Sequence, residues 1–329
     1  MQARLPVLLL SATEIAGLLG PDEALAAVER AFRSLHAGEA PPPIVAGHHA
    51  PAGTYHWKAA WWPGPPSRFA AKLNANYPGN PSRHDLPTIQ GSLVLCDGET
   101  GSLLAVMDAS VITALRTAAA TALAAAHLAR ADATRLCMVG CGAQAAPHVR
   151  ALSRVRALSE VVCVDVRPEA AEALATWTTA HLGVPARRGS LPDTRDADIV
   201  VTCTPSTSWL LDVDSVRPGT FVAGVGADAE HKRELAPGLL ARGRVVVDVL
   251  DQAARMGDLR GAIEAAAMTR DDVHAELGAV VVGDVPGRRS DEEVIVFDST
   301  GMALQDAACA ALVFDRAVAR GVGLSAALS

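Results

Sequence analysis

The stretch RLCMVGCGAQAAPHV, residues 135–149, limits the possible folds of this chain more than any other. Residues 135–140 predict a strand, Gly140, Gly142 and Ala145 form a G-x-G-x-x-A pattern at its end, and a helix comes next. Glycines there allow a tight turn and the close approach of a pyrophosphate, whose charge sits at the helix N-terminus. Glycine-rich turns also occur in α/β proteins that bind no dinucleotide, so the context decides. The next strand, VVCVDV, ends in Asp165, 25 residues after Gly140. A carboxylate at that point accepts hydrogen bonds from both ribose hydroxyls and repels a 2′-phosphate, which favours NAD over NADP. Arg167, two residues on, leaves NADP open.

The same regime continues on both sides. From about 134 to 298 short apolar strands (RLCMVG, EVVCVDV, ADIVVTCT, GTFVAGVG, RVVVDV, EVIVFDS) alternate with helical stretches. That alternation predicts an α/β, Rossmann-type doubly wound parallel sheet. Residues 1 to about 112 instead mix helices with turn-punctuated β-rich stretches, and 329 residues suffice for about two domains. An alanine-rich helix over 111–131 should join the two, and the helical segment GMALQDAACAALVFDRAVA should return to the first.

Only three of the 29 basic residues are lysines: Lys58, Lys72 and Lys232. Where arginine serves for solvated charge, the surviving lysines are enriched at places where shape or proton transfer matters; the alternative is an exposed surface cation. Ammonium and guanidinium groups hold carboxylates well, so Lys58, Lys72 and Arg116 near the start of the linking helix are candidates to hold a substrate, and a lysine of lowered pKa also exchanges protons. Lys232 follows a predicted strand that ends in Gly224 and Gly226 and then Asp228. Loops at the carboxyl ends of such strands carry ligand chemistry, so Asp228 is a candidate general acid or base and Lys232 a counter-charge for phosphate or carboxylate. An Asp that merely caps the turn is the alternative. Trp57, Trp61 and Trp62 crowd around Lys58, either as a core or dimer-interface cluster or as the apolar wall of a pocket.

A net charge of -7 with scattered arginines offers no basic stripe, which argues against a nucleic-acid partner. RLPVLLLSATEIAGLLG reads as a strand entering a helix, with Ser11 and Glu14 at capping-box spacing, rather than as a signal peptide. No run of ~20 uninterrupted apolar residues predicts a membrane span, so a cytoplasmic protein is expected. The six cysteines lie singly in apolar segments and read as small buried hydrophobes; neither H-E-x-x-H nor C-x-x-C occurs, and no metal site is expected.

Together, KLNANYPGNP, LPTIQG, TALRTAA, GCGAQA, GADAEHKREL and VFDSTGMALQD resemble the ornithine cyclodeaminase/mu-crystallin family, which includes archaeal-type alanine dehydrogenase and ketimine reductases. The resemblance covers essentially the whole chain. It implies a discontinuous α+β substrate-binding and dimerisation domain, residues 1–115 and 300–329, a Rossmann domain, residues 116–299, and a homodimer. By similarity Lys72 contacts the substrate carboxylate or reacting nitrogen, and Asp228 is the catalytic acid/base. Thr88, Arg116, Ala143, Gln144, Asp165, Thr204, Lys232 and Ser299 match positions around the dinucleotide, and Thr300 falls beside the substrate. An arginine that grips the carboxylate in the ornithine enzyme is replaced by Ile44 here. The alanine dehydrogenase branch has an arginine near Lys58, so Lys58 takes over that grip. What the resemblance implies is hydride transfer between NAD(P) and the α-carbon of a small amino or imino acid. Cyclodeamination of ornithine or lysine is the alternative, and a non-catalytic mu-crystallin-like ligand-binding protein a second.

Overall fold

The computed structural model describes residues 6–327. The chain packs into two compact units, one ending at Arg116 and resuming at Met302, the other running Thr117–Gly301. In chain order the first contributes β1 (Val7–Leu10), α1 (Ala12–Ala16), α2 (Pro21–His36), β2 (Ile44–Ala50), β3 (Gly53–Trp62), β4 (Arg68–Asn76), α3 (Asn80–His84), β5 (Ile89–Asp97), β6 (Leu103–Asp108) and the start of α4 (Ala109–Leu128). The second contains the rest of α4, then β7 (Arg135–Val139), α5 (Ala145–Val155), β8 (Glu160–Val164), α6 (Pro168–Leu182), β9 (Ala186–Arg188), β10 (Ile199–Thr202), β11 (Phe221–Gly224), α7 (Pro237–Arg242), β12 (Arg244–Val247), α8 (Leu250–Met256), α9 (Asp258–Glu264), β13 (Ala275–Glu276), α10 (Leu277–Val282) and β14 (Ile295–Asp298). The first unit then closes with α11 (Ala303–Arg320) and β15 (Leu324–Ala326).

The first unit is a seven-stranded sheet in the order β15-β1-β6-β5-β4-β3-β2, antiparallel except where β1 meets β6. Ser11 caps α1 as its spacing predicts: the Ser11 hydroxyl accepts from Glu14 N, and the Glu14 carboxylate accepts from Ser11 N. Strand alternation gives the sheet two unlike faces. Ala70 and Lys72 of β4 are buried on the face where α11 lies, whereas Phe69 and Leu73 on either side of them are exposed. On β3 the same alternation sets Lys58, Ala60 and Trp62 apart from Trp57 and Trp61.

The second unit is an eight-stranded, wholly parallel sheet in the order β13-β12-β14-β11-β10-β7-β8-β9. Its central strands are buried along nearly their whole length, because helices cover both faces, and so they read as continuous apolar runs. The chain winds outward from β7 through β8 to β9, then returns to β10 on the other side of β7. That reversal is the topological switch point of a Rossmann-type sheet. The two edge strands were not predicted. β9 is three residues with two arginines and β13 only two residues, so neither carries an apolar run.

Helix α4 starts at Ala109 and stops at Leu128, three residues before its predicted end. Arginines terminate it: Arg156 Nη2 donates to the carbonyls of Ala125 and Ala129, and Arg288 Nε to that of Leu128. Among the described residues α4 is the one helix long and apolar enough to cross a membrane, and 67% of its most apolar window is buried within the protein.

Candidate functional site

The β7–α5 turn lies at the carboxyl edge of the parallel sheet, at the switch point. Gly140 has φ +94°, and a Cβ there would come within 2.6 Å of the Cys203 carbonyl oxygen, so only glycine fits against the end of β10. Gly142 differs: a Cβ there would meet no protein atom within 4 Å. Packing does not demand that glycine, whereas the close approach of a pyrophosphate would. Asp165 Oδ2 accepts from Cys141 N at 2.7 Å and Oδ1 from Arg167 N at 2.9 Å, which fixes the carboxylate between the turn and the end of β8. Arg167 Nε stands 3.5 Å from the same Oδ1. Ala143 is exposed, and the half-buried Gln144 has an Oε1 that meets no donor among the described residues. The turn therefore has the room and the fixed carboxylate that a dinucleotide needs.

Beside it, Thr204 and Gly226 are joined by a residue that sequence reasoning missed. The buried Glu234 carboxylate accepts from Thr204 N at 2.6 Å, Thr204 Oγ1 at 2.8 Å, Thr202 Oγ1 at 2.7 Å and Gly226 N at 2.7 Å. Burial raises its pKa above the usual carboxylate value, against the pull of those donors. A chain of acids supports it: Asp258 Oδ1 accepts from Glu234 N, and Asp298 accepts from the Asp258 and Leu259 amides that open α9. Burial pushes Asp258 up to about 7 and Asp298 well above its ordinary value. These carboxylates explain the glycines above them, since a Cβ on Gly226 would lie 2.6 Å from the Glu234 carboxyl carbon. Gly224 and Gly226 were the available signal, read only as strand-end glycines.

Asp228 is exposed on this loop, and Lys232 Nζ donates to its Oδ1 at 2.6 Å. The two residues pair with each other across this loop. Ser299 is buried, its amide donating to the Gly224 carbonyl. Thr300 Oγ1 donates to Asp248 Oδ1 at 2.8 Å, and the Thr300 and Gly301 amides donate to Asp248 Oδ2. Gln252 Nε2 donates to Thr300 Oγ1 at 2.8 Å, so that hydroxyl sits inside a buried polar network.

In the first unit the antiparallel register sets Lys58 directly opposite Lys72. Lys72 Nζ donates to Asp306 Oδ1 at 2.7 Å and to Thr113 Oγ1 at 3.1 Å. Arg116 Nε donates to the same Asp306 oxygen at 3.1 Å, and its Nη1 to Gln305 Oε1 at 3.2 Å. Burial drives the Lys72 ammonium down to about 7; Asp306 pulls it up, while Arg116 and Lys58 push it further down. Burial would raise Asp306, but Arg116 and Lys72 outweigh it and hold the carboxyl below its usual value. Gln305 and Asp306 close the VFDSTGMALQD motif, and nothing in the motif alone assigns either a partner. Two adjacent polar residues in the first turn of an otherwise alanine-rich helix were the signal. Thr88, by contrast, precedes β5 and its carbonyl accepts from Tyr77 N at 2.8 Å.

Trp57 and Trp61 lie on the face opposite Lys58, so the three tryptophans do not wall one pocket with it. Strand alternation, invisible when the cluster is read as a string, separates them. All six cysteines are free, and burial pushes the Cys137 and Cys309 thiols up to about 12. Among the described residues no three His, Cys, Asp or Glu side chains gather as metal ligands. A cavity of about 640 Å³ lined by Arg244, His274 and Glu293 opens at the amino ends of β11, β12 and β14. Ligands of open α/β sheets bind at the other, carboxyl edge.

A sequence profile of the ornithine cyclodeaminase/mu-crystallin family matches residues 7–321. The chain is 37% identical to the alanine dehydrogenase of Archaeoglobus fulgidus over 316 residues, covering 96% of this chain and 97% of that one. It is 38% identical to the iminosuccinate reductase of Paracoccus denitrificans over 322 residues, covering 96% and 98%. Among solved structures, an archaeal alanine dehydrogenase dimer with bound NAD superposes with a TM-score of 0.94 at 36% identity, over 99% of this chain and 100% of that one.

Proposed function

The chain belongs to the ornithine cyclodeaminase/mu-crystallin family, and on that premise we propose that it is an NAD-dependent oxidoreductase acting at the α-carbon of a small amino or imino acid. The observation that carries this reading is the glycine turn at the switch point, with room above Gly142 and Asp165 fixed beside it. When bound, the nicotinamide accepts or supplies the hydride exchanged with the α-carbon. Gly140, Gly142, Ala143, Gln144, Asp165 and Thr204 hold the dinucleotide, and Glu234 keeps Thr204 in place. Arg167 stands near enough to Asp165 to leave NADP as a weaker cofactor.

Lys72 and Lys58 hold the substrate carboxylate. Two of the three N–H donors of the Lys72 ammonium are engaged by Asp306 and Thr113, which leaves one for a substrate oxygen. Asp228 takes a proton from the substrate nitrogen as an amino acid is oxidised, or returns it as an imine is reduced, and Lys232 supports its charge.

The first unit also supports a homodimer. The sheet face away from α11 is apolar and open, with Ile44 61% exposed and Trp57 41%. The related archaeal alanine dehydrogenase is a dimer.

A panel of amino acids, oxo acids with ammonia, and cyclic imines, followed by both NAD(P)H absorbance and ammonia, tests the reading. Net NAD(P)H change is expected with one of them, lost in Lys72→Ala and Asp228→Asn while dinucleotide binding survives. Ammonia with a cyclic imino acid and no net NADH would assign cyclodeamination instead. Unimpaired turnover in both variants would overturn the assigned roles.

A further inference from the structure

Asp306 is the hub of the buried cations in the first unit. One oxygen, Oδ1, takes both Lys72 Nζ and Arg116 Nε, while Oδ2 is buried and meets no donor among the described residues. The charged and titratable groups around Lys72 come from four elements: Lys58 across the sheet on β3, Arg116 on α4, Asp306 and Cys309 on α11, and Arg30 of α2, which acts on Cys309. Take Asp306 away and the ionised members of this set are all cations. Mutual repulsion and burial would then strip Lys72 of its proton and leave its amine without the acceptor that fixes its direction.

We propose that Asp306 is a positioning residue for Lys72: its carboxylate aims the remaining N–H and offsets Lys58 and Arg116, so that Lys72 keeps a proton it can give and take back. The inference rests on the reading that Lys72 acts on the substrate. It adds a second proton-exchanging group to Asp228, and it explains why a helix rich in alanine buries a carboxylate.

Asp306→Asn removes the charge and keeps the shape. The limb of the kcat/KM pH profile that belongs to Lys72 should move to lower pH by about one to three units. With only three lysines in the chain, the group can also be watched directly. Protein labelled with 13C at lysine Cε gives three resonances, and Lys72→Arg identifies the one of interest. Its titration midpoint should fall in Asp306→Asn, with Asp306→Glu lying between that variant and the parent. If Asp306→Asn does not fold, Asp306→Glu decides: a midpoint below the parent's is expected, and one equal to it overturns the proposal. An inactive Lys72→Ala beside an Asp306→Asn enzyme with unmoved profile and midpoint overturns this inference alone. A fully active Lys72→Ala overturns the reading beneath it.

Discussion

Lys72 Nζ and Asp306 Oδ1 lie 2.7 Å apart, each in a side chain only 2% exposed, across 234 residues of sequence. Breaking a buried pair by removing one partner costs about 3–5 kcal/mol, because the other charge stays behind, whereas replacing both with apolar groups costs far less. Asp306→Ala, which strands both Lys72 and Arg116, should lower unfolding stability by an amount in that range. Lys72→Met combined with Asp306→Leu should recover the part due to Lys72, while Arg116 still lacks its carboxylate. Urea unfolding of the single and double variants at pH 7 measures the coupling, and additive losses would contradict it.

Two groups give stability opposite dependences on pH. Lys72 titrates near 7 in the folded chain instead of 10.5, so between those values the unfolded chain holds a proton the folded chain has lost, and stability rises with pH. Asp258 is raised from 3.8 to about 7, so the folded chain holds the extra proton and stability falls as pH rises across that window. Thermal midpoints from pH 4 to 10 should therefore lose their alkaline rise in Lys72→Met and show a weaker acid fall in Asp258→Asn, the raised Glu234 and Asp298 supplying what remains of it. Each effect is on the order of a few kcal/mol. Slopes unchanged by both substitutions would show other groups responsible.

The two glycines of the dinucleotide turn should respond differently. Gly140→Ala meets the Cys203 carbonyl oxygen and an unfavourable positive φ, and should cost about 1–3 kcal/mol of stability as well as cofactor binding. Gly142→Ala meets no protein atom, so stability should change by less than about 0.5 kcal/mol while NAD affinity drops. Calorimetric titration with NAD against thermal unfolding separates the two. Equal NAD affinity in Gly142→Ala would remove the pyrophosphate from that position.

What could be read from the sequence was whatever is local. The turn at Gly140, the capping box at Ser11 and the strands of the parallel sheet are each written in a few consecutive residues. The cation cluster was legible as a list of rare lysines, but the Lys58–Lys72 register is set by a turn and the Asp306 partnership by a helix more than two hundred residues away. Glu234 was hidden for a similar reason. It sits in a polar, charged stretch that reads as solvated loop, and only folding turns it inward onto Thr202, Thr204 and Gly226.

Glu234→Gln tests that last point. The amide keeps one acceptor oxygen and turns an NH₂ group toward donors, so about two of four hydrogen bonds are lost in a buried site at a cost of about 1–3 kcal/mol. The released Thr204 and Gly226 segments should raise KM for NAD more than they lower kcat. Initial rates at varied NAD show the split; an unchanged KM would leave Glu234 a purely structural acid.

Ile44 on β2 and Trp57 on β3 are exposed on the face opposite Lys72, where neither can touch the cation cluster. An exposed apolar sheet face of this kind is stabilised by a second sheet packed against it, and charge at its centre is among the strongest ways to prevent that packing. If the proposed dimer forms through this face, Ile44→Glu with Trp57→Glu should give a species of 34.0 kDa in place of one of twice that mass. Unchanged far-ultraviolet circular dichroism would show that the strands themselves persist. Light scattering across a concentration series is the measurement, and a double variant that stays dimeric would put the interface elsewhere on the chain.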